Sequence, residues 1–440
     1  MPLGASKPRL KLTINNVLLV GNAFVWYLLV FKTLGFLTDQ LILSPATILV
    51  FGLNAVSIAL LAFVGSFIVD KFKERVKFLD IWMLSGIFLS LLPLLLDRTN
   101  YISVLAISVL FGAYFGIGMP VVMGYFSANT STENRGKIGG ITFLVIGLLF
   151  SILGAFIIND VVTAFLVLAA IRLTGFLVFH AFKERKEQIH SSKLTYRDIL
   201  GNRAVIFYFI AWAMLSLVNY MTVPIQNALF DSSETYIFLI YILENVIMAI
   251  TAVVCGFIAD IFGRKRLTII AFVMLGIGYA VLGLSPNIGI SGYFYVISDG
   301  IAWGIFNIIF LLVIWGDLAH SKSSDKLYFL GAVPYVFSSF LRMAFAFYVP
   351  DIKDLPIFSF ASVFLFLAVL PLLYAPETLS EKRMKDRELK NYIEKAQRTA
   401  QKEEEKNKKK SKEKVIEDSQ SSEQSEEDYE KAKALAEKYY

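Results

Sequence analysis

Cysteine, histidine and charged residues are scarce in this chain of 440 residues. It contains one cysteine, Cys255, and three histidines that lack the spacing of metal ligands. A single thiol excludes both an intrachain disulfide and a cysteine-ligated metal cluster. Charged residues make up 18% of the sequence, whereas a soluble globular domain has about 25%. The sequence therefore predicts no bound metal and no cofactor, and it argues against a soluble protein.

Patterns typical of enzymes are also missing. The sequence has no Gly-x-x-x-x-Gly-Lys-Ser/Thr loop for nucleotide phosphates, no Gly-x-Ser-x-Gly nucleophile turn and no pair of redox cysteines. The first pattern is typical of ATP-driven machines and the second of α/β-hydrolases. We therefore predict that the protein is not an enzyme and that ATP hydrolysis does not drive it.

Apolar residues are abundant in contrast. They make up 56% of the chain, and the mean hydropathy is +0.62. A helix needs about 20 apolar residues to cross the roughly 30 Å hydrocarbon core of a bilayer. Since each backbone group in lipid needs a partner within its own segment, such stretches predict transmembrane helices in an all-α membrane protein. The twelve stretches are Leu12–Leu37, Ile48–Val69, Phe78–Leu96, Ile102–Phe126, Ile138–Ile158, Val161–Phe182, Ala204–Leu229, Tyr236–Ala259, Leu267–Leu284, Tyr293–Ala319, Leu327–Val349 and Ile357–Tyr374.

The charges between these stretches predict the orientation of the chain. The five loops after the even-numbered stretches carry seventeen Lys and Arg residues, whereas the loops after the odd-numbered stretches carry only Arg98 and Lys353. Because positively charged loops stay in the cytoplasm, we predict a multi-pass protein of the plasma membrane with both termini cytoplasmic. The same placement accounts for the net charge of +6 without a nucleic-acid partner.

The longest of these loops, 183–203, divides the stretches into two sets of six. We therefore predict an N-terminal six-helix half at 1–182, a cytoplasmic linker at 183–203 with a short surface helix, and a C-terminal half at 204–374. Residues 375–440 are rich in Lys, Glu, Gln and Ser and hold too few large apolar residues to bury a core. This composition predicts a charged cytoplasmic tail.

The two sets of six share a motif after their second stretch. Gly65–Arg75 follows the second stretch and Gly256–Arg266 follows the eighth, and both place an acid at a helix end before a basic turn. Such a repeat is typical of transporters built from duplicated units. The motif resembles the signature loop of the major facilitator superfamily, although Ser66, Lys73 and Ile261 depart from its pattern. The matching residues are Asp70, Lys71 and Arg75 in the first copy, and Gly256, Asp260, Gly263, Arg264 and Lys265 in the second.

Two further segments resemble the same family. Glu133–Gly136 is similar to its acid-x-Arg-Gly loop, and Pro376–Thr378 is similar to the Pro-Glu-Thr of its sugar porters. The resemblance covers about residues 10–380 and implies twelve transmembrane helices in two six-helix halves. It also implies a cytoplasmic gate, in which the signature loops tie the halves together when the outside is open. Arg135 would then be the partner of Asp70. The alternative is that these charges only set the topology.

Three ionisable residues lie inside the stretches of the second half: Glu244, Asp299 and Arg342. A charge at the bilayer centre costs about 2.5–3.5 kcal/mol on insertion scales, so it tends to face a cavity or a partner. With a rise of about 1.5 Å per residue, all three lie about 9–12 Å from the outer end, at similar depth. Two acids and one arginine leave one carboxylate to bind substrate or a proton. The alternatives are a structural ion pair and exposure to an outer vestibule.

Two other sets of polar residues are candidates for the substrate site. Arg172, in the middle of the sixth stretch, either holds an anionic substrate or pairs across the halves. The alternatives are a structural role as a partner of backbone carbonyls and a position closer to the membrane surface. Asn219 and Gln226 in the seventh stretch suit a hydroxylated or amide-bearing solute, although hydrogen bonds between helices explain them equally well.

These features predict a secondary active transporter that moves a small organic solute across the membrane by alternating access. Pro376–Thr378 favours a sugar, whereas Arg172 and Arg342 favour an organic anion. We expect a monomer in the lipid bilayer that acts as a symporter. Its driving force is a proton gradient, another ion gradient or the solute gradient itself, and no residue pattern decides between them. The alternative is a non-transporting sensor or scaffold that signals through the tail 375–440.

Overall fold

The computed structural model describes the main helical part of the chain and one segment of the tail. The described residues are 6–39, 44–68, 74–158, 160–182, 195–230, 243–284, 290–319, 324–346, 357–379, 389, 393, 397 and 425–438. Within these ranges the chain is almost entirely helical, and none of them forms a strand. The predicted all-α class is confirmed.

Twelve helices correspond to the twelve predicted stretches. We number them α1 Ser6–Asp39, α2 Ser44–Gly65, α3 Arg75–Leu95, α4 Tyr101–Ala128, α5 Arg135–Ile152, α6 Val161–Phe182, α7 Arg203–Phe230, α8 Asn245–Phe262, α9 Arg264–Leu284, α10 Ile290–Leu318, α11 Asp325–Ala346 and α12 Ile357–Tyr374. Among the described residues, every one of these helices except α11 is long and apolar enough to cross a membrane, judged by length and composition alone. The stretch Tyr236–Ala259 was predicted to begin earlier than α8 does, and residues 231–242 lie outside the described residues.

The helices pack as two sets of six. In the first set, α2 lies along α4, α3 lies against α6, and α1 contacts α4, α5 and α6. In the second set, α10 contacts α8 and α9, while α12 contacts α7 and α9, and α7 also packs on α11. Between the sets, α5 packs on α8 and α10, and α11 packs on α2 and α4. Exchanging the two sets turns the α5–α8 contact into the α11–α2 contact, as expected for a duplicated bundle.

Apolar side chains cover the outside of this bundle as well as its interior. Leu60, Ile81, Phe88 and Phe360 each expose more than 60% of their surface. A monomeric soluble protein rarely exposes so many large apolar side chains, whereas lipid solvates them. The largest aromatic residues, Trp26, Trp212 and Trp315, are fully enclosed.

Helix α10 departs from regular α-helical geometry. It consists of an α-helix at Ile290–Phe306, a π-helical segment at Asn307–Val313 and a further α-helix at Ile314–Leu318. Two carbonyl groups in the π-helical segment accept hydrogen bonds from side chains. The Trp315 indole donates to the Phe310 carbonyl at 2.5 Å, and the Tyr328 hydroxyl of α11 donates to the Leu312 carbonyl at 2.6 Å. These bonds stabilise the wide turn, which is rare in helices and frequent at functional sites.

The linker and the tail contain the remaining described helices. A six-residue helix, Tyr196–Gly201, begins at a capping box in which Thr195 and Asp198 exchange hydrogen bonds. Residues 183–194 of the predicted linker lie outside the described residues. The chain divides into two compact units, Met1–Leu379 and Ser380–Tyr440. In the second unit, residues 425–438 form an exposed helix. The domain boundaries given above remain predictions.

Candidate gate and transport site

One end of the bundle carries the basic loops, and we call it the basic end. There Arg135 opens α5 and forms a buried ion pair with Asp317, near the end of α10 in the other half. Its Nη2 atom donates to the carbonyl oxygens of Ser127 and Thr130 at 3.0 and 3.1 Å, and its Nε donates to the Thr130 hydroxyl at 3.0 Å. The guanidinium is therefore held by its own half while it binds an acid of the other.

Arg264, the first residue of α9, contacts the same acid. Its Nε lies 3.1 Å from an Asp317 oxygen, and its Nη2 lies 2.9 Å from Asp260. The Nη2 atom also donates to the carbonyl oxygen of Thr132 in the first half. Arg264 is fully buried. An isolated charge at this position would be costly, and its two acidic partners offset that cost.

Asp260 binds the beginning of a helix from the opposite half. Its two carboxylate oxygens accept hydrogen bonds from the backbone amides of Gly136 and Lys137 at 3.0 and 2.7 Å. These amides are in the first turn of α5, where they have no partner within the helix. The positive end of the helix dipole also favours an acid at this position. Asp260 thus joins α8 to α5 across the boundary between the halves.

Two glycines allow α5 and α8 to approach at this point. A Cβ atom on Gly136 would lie 2.6 Å from the Gly256 carbonyl oxygen, and one on Gly256 would lie 2.5 Å from the Gly136 carbonyl oxygen. Both distances are too short for a real Cβ contact, so each helix requires glycine where it crosses the other. Close helix contacts through small residues are frequent in membrane bundles.

The segment after α12 completes this cluster. Glu377 accepts hydrogen bonds from the backbone amides of Arg264 and Lys265 at 2.8 and 3.2 Å, at the beginning of α9. Gly263 precedes them with φ of 100°, a conformation that favours glycine. The Lys265 ammonium group donates to the Leu373 carbonyl at 2.7 Å. The sequence Pro376–Thr378 therefore caps a helix of the second half.

A second buried ion pair joins the halves at the same end. Arg75, which opens α3, lies 2.8 Å from Asp325, which opens α11. Their side chains are 6% and 1% exposed. Gly124 of α4 leaves space for the acid, since a Cβ atom there would lie 2.3 Å from an Asp325 oxygen.

Six of the predicted gate residues meet in one cluster: Arg135, Gly256, Asp260, Gly263, Arg264 and Lys265. Arg75 lies in the second ion pair, while Asp70 and Lys71 lie outside the described residues. The sequence suggests Asp70 as the partner of Arg135, and that pairing remains a prediction because Asp70 is not described. Within the described residues, Arg135 pairs with Asp317. Sequence analysis did not predict the partners Asp317 and Asp325. An acid that ends or opens an apolar helix is the signal that they share.

The predicted polar residues of the second half form a hydrogen-bonded network. Tyr279 donates to Asn219 at 2.9 Å, and Gln226 donates to the hydroxyl groups of Tyr279 and Tyr295 at 3.0 and 2.6 Å. Tyr295 and Glu244 both lie beside Asp299 and interact with it. Two carboxyl groups so close to each other repel when both are ionised.

This network brings together four of the six candidate substrate and coupling residues: Asn219, Gln226, Glu244 and Asp299. Asp299 is buried and Glu244 is half-buried. Arg342 belongs to α11, but its side chain lies outside the described residues, so the suggested meeting of two acids and one arginine remains a prediction. Arg172 lies in the first half, fully buried, and its Nη1 donates to the Asn22 amide oxygen at 3.0 Å.

Comparison with known proteins agrees with this architecture. A sequence profile of the Major Facilitator Superfamily matches residues 14–324. No curated protein sequence matches the chain. Among solved structures, a bacterial homologue of the iron transporter ferroportin in an outward-facing state is similar with a TM-score of 0.65 at 12% identity, covering 83% of this chain and 98% of that one.

Two other solved structures have similar folds. The proton:xylose symporter XylE, bound to 6-bromo-6-deoxy-D-glucose, gives a TM-score of 0.63 at 15% identity over 85% of this chain and 97% of that one. The human organic anion transporter MFSD10 (TETRAN) gives 0.60 at 13% identity over 84% and 100%. At such low identity these likenesses establish the fold alone. The chain belongs to the Major Facilitator Superfamily, and with twelve helices in two six-helix halves it is a multi-pass membrane transporter.

Proposed function

We propose that this transporter moves a small organic solute, a sugar or an organic anion, across the plasma membrane by alternating access and in symport with protons. It acts as a monomer, and the basic end faces the cytoplasm. The observation that carries the proposal is the set of buried ion pairs and hydrogen bonds that join the two halves at the basic end. Three contacts cross the boundary between the halves: the pair Arg135–Asp317, the pair Arg75–Asp325, and the hydrogen bonds that Asp260 accepts from α5.

These contacts suit a gate because their net free energy is small compared with their gross strength. Bringing two charges out of water costs several kcal/mol, and their attraction within the protein returns a similar amount. When the halves rock apart at this end, water solvates each separated charge, and this solvation offsets most of the attraction that is lost. Buried ion pairs between rigid halves therefore allow two states of similar free energy, as alternating access requires.

The network around Asp299 supports proton coupling. Glu244 and Asp299 lie beside each other, and a proton on one of them removes the repulsion between two carboxylates. Asp299 also lies beside Tyr295, whose hydroxyl group belongs to a network of hydroxyl and amide groups that suits a hydroxylated solute. Loss of that proton would leave two carboxylates in contact, which repel each other. Proton release would thereby rearrange the hydrogen bonds of Gln226 and Tyr295. The similar solved structures include both a xylose symporter and an organic anion transporter, so both solute classes belong in the first test.

The test uses the purified full-length protein in liposomes. Uptake of labelled xylose, glucose and a panel of organic anions is measured with and without an imposed proton gradient. We expect a gradient to drive uptake of at least one solute, and the variant Glu244→Gln to lose that response while it still exchanges solute across the membrane. The matched control is Glu74→Gln, because Glu74 is an exposed acid at the basic end.

Each part of the proposal has its own contradicting result. Uptake that ignores the gradient, or that Glu244→Gln leaves unchanged, rejects proton coupling. If no solute moves although the protein remains folded, transport is rejected and the sensor or scaffold becomes the better account. Tags at the chain termini that react from outside sealed cells reject the orientation.

A further inference from the structure

Arg172 lies in an aromatic cage within the first half. Its guanidinium carbon lies 4.6 Å from the ring centre of Trp26 in α1, 4.5 Å from that of Trp82 in α3 and 5.1 Å from that of Tyr114 in α4. The arginine itself is fully buried, halfway along α6. The negative faces of aromatic rings attract a cation, so the cage stabilises the flat faces of the guanidinium.

The polar groups of the cage are occupied by one another. The Trp26 indole donates to the Ser90 hydroxyl at 3.0 Å, the Trp82 indole donates to the Tyr114 carbonyl at 2.8 Å, and the Tyr114 hydroxyl donates to the Trp82 carbonyl at 2.8 Å. The Asn22 amide donates to the Ile171 carbonyl at 2.6 Å, which directs its oxygen to Arg172. In this arrangement none of these groups accepts a bond from the Nε or Nη2 atom of Arg172.

Two donors of Arg172 have no hydrogen-bond partner among the described residues. They are the Nε and Nη2 atoms, both enclosed. An N–H bond of each points in the same direction from one edge of the guanidinium plane. This edge binds the two oxygens of a carboxylate through a parallel pair of hydrogen bonds. The unoccupied donors are thus the pair that suits a planar oxyanion.

The charge of this site is also unbalanced. Of the ion pairs formed by the described residues, none includes Arg172. A buried ion without a counter-charge is strongly disfavoured, and a single guanidinium balances one negative charge. A monoanion therefore suits the site better than a dianion, and the apolar rings around it suit a carboxylate attached to a small organic group.

We propose that Arg172 binds the carboxylate of a small organic monoanion through its Nε and Nη2 atoms, inside the cage of Trp26, Trp82 and Tyr114. The inference rests on the proposed transport function and narrows its solute to a monocarboxylate. Because Arg172 is fully enclosed here, the ligand enters only when α1, α3, α4 and α6 move relative to one another. This is a movement within the first half, in addition to the rocking of the two halves against each other.

The first test measures thermal unfolding of the purified full-length protein with acetate, L-lactate or benzoate. Sodium chloride at matched ionic strength, sodium phosphate and glucose serve as comparison solutes. We expect at least one monocarboxylate to raise the Tm by about 3–5 °C at about 100 times its Kd, with no rise from the others. An equal rise with chloride, a larger rise with phosphate, or no rise with any monocarboxylate overturns the proposal.

Two variants test the assignment to Arg172. Arg172→Lys keeps the charge and removes the parallel donors, so the monocarboxylate response should fall by at least tenfold in affinity. Asn22→Asp is nearly isosteric and places a carboxylate beside Nη1, which supplies the missing charge within the chain and should abolish the response. The exposed Arg203→Lys is the matched control and should keep it. If either Asn22→Asp or Arg172→Lys retains the full response, the ligand does not bind Arg172.

Transport separates this inference from the proposed function. Liposomes that contain the wild-type protein should take up the monocarboxylate that raises the Tm, and liposomes that contain the Asn22→Asp variant should not. If a sugar is transported and no monocarboxylate binds, the inference fails and the transport function stands. If no solute is transported, the function itself fails.

Discussion

Two ion pairs at the beginning of α3 differ widely in exposure. The side chains of Arg75 and Asp325 are 6% and 1% exposed, whereas those of Lys77 and Glu74, which pair one turn along, are 75% and 57% exposed. Burial decides what the loss of one partner costs, because water solvates an exposed charge that is left alone and the protein interior does not. The two pairs therefore offer a direct comparison within one helix turn.

We expect Arg75→Gln to lower the free energy of unfolding by about 3 kcal/mol, because it removes the cation that faces the buried Asp325. Lys77→Gln should change it by less than about 1 kcal/mol. Denaturation of each variant in the same detergent measures the difference. Adding Asp325→Asn to Arg75→Gln should recover part of the loss. Equal effects of Arg75→Gln and Lys77→Gln would show that the buried Asp325 does not depend on Arg75 as its counter-charge.

Gly263 is the residue where backbone conformation and packing both require glycine. Its φ is 100°, and a Cβ atom would lie 2.3 Å from a Glu377 oxygen. Gly263→Ala should lower stability by about 1–3 kcal/mol and displace Glu377 from the beginning of α9. Gly147→Ala is the control, since nothing lies within 4 Å of the Cβ position there. Thermal unfolding compares the two, and a neutral Gly263→Ala would contradict the cap assigned to Glu377.

At the residue scale the sequence predicted members of the site better than their partners. The signature motif identified Asp260, Gly263 and Arg264 because local spacing fixes where a helix ends and the next begins. The partner of Arg135 depends on the path of α10, which no local pattern records. Asp317 lies at the end of an apolar run and has no position in the motif, so its contact with both arginines emerged only from the packed structure.

At the scale of the helix, the crossing of α5 and α8 depends on Gly136 and Gly256. We expect Gly136→Ala to push the two helices apart, since the added Cβ would lie 2.6 Å from the backbone oxygen of Gly256. Spin labels at Lys137→Cys and Ile261→Cys in a Cys255→Ser background measure the separation. Both labelled positions are exposed. The mean distance should increase and solute uptake should fall.

Gly147→Ala in the same labelled background is the control for this crossing. It changes another glycine of α5 where no neighbouring atom lies within 4 Å, so neither the distance nor uptake should change. An unchanged label distance in Gly136→Ala would mean that the close approach of α5 and α8 does not hold the basic end closed.

Helix length was predictable because bilayer thickness sets it. The predicted stretches Val161–Phe182 and Ile357–Tyr374 coincide with α6 and α12. Departures from regular geometry were not predictable. The π-helical segment Asn307–Val313 has an ordinary apolar sequence, and the side chains that stabilise it come partly from α11. A pattern read along one helix contains no information about such a bond from its neighbour.

At the scale of the whole molecule, the chain consists of the unit Met1–Leu379 and the unit Ser380–Tyr440. We expect deletion of 380–440 to leave the Tm and the uptake rate unchanged within about twofold, because the first unit contains both clusters described above. A protein that folds but no longer transports after this deletion would give the tail a direct role. Loss of a cellular response with intact transport would favour a signalling role for the tail.

The arrangement of the halves followed from the repeat in the sequence, and the contacts between them did not. Basic loops and the duplicated motif predicted two sets of six helices, since each depends only on order along the chain. The pairing of α5 with α8 and of α11 with α2 depends on which faces remain apolar or small after each half has packed. The surroundings of Arg172 were likewise not predictable from the sequence, because only the fold shows that its neighbours are aromatic rings and an amide.

The wide segment of α10 has a consequence for the gate. A π-helical turn holds an additional residue, so rewinding Asn307–Val313 to α-helical geometry would rotate the residues beyond it by about 100°. Asp317 lies four residues after Val313, and it would turn away from Arg135 and Arg264 together. A one-residue change of register inside a single helix would thus separate the halves at their most strongly charged contact, with no helix having to unfold.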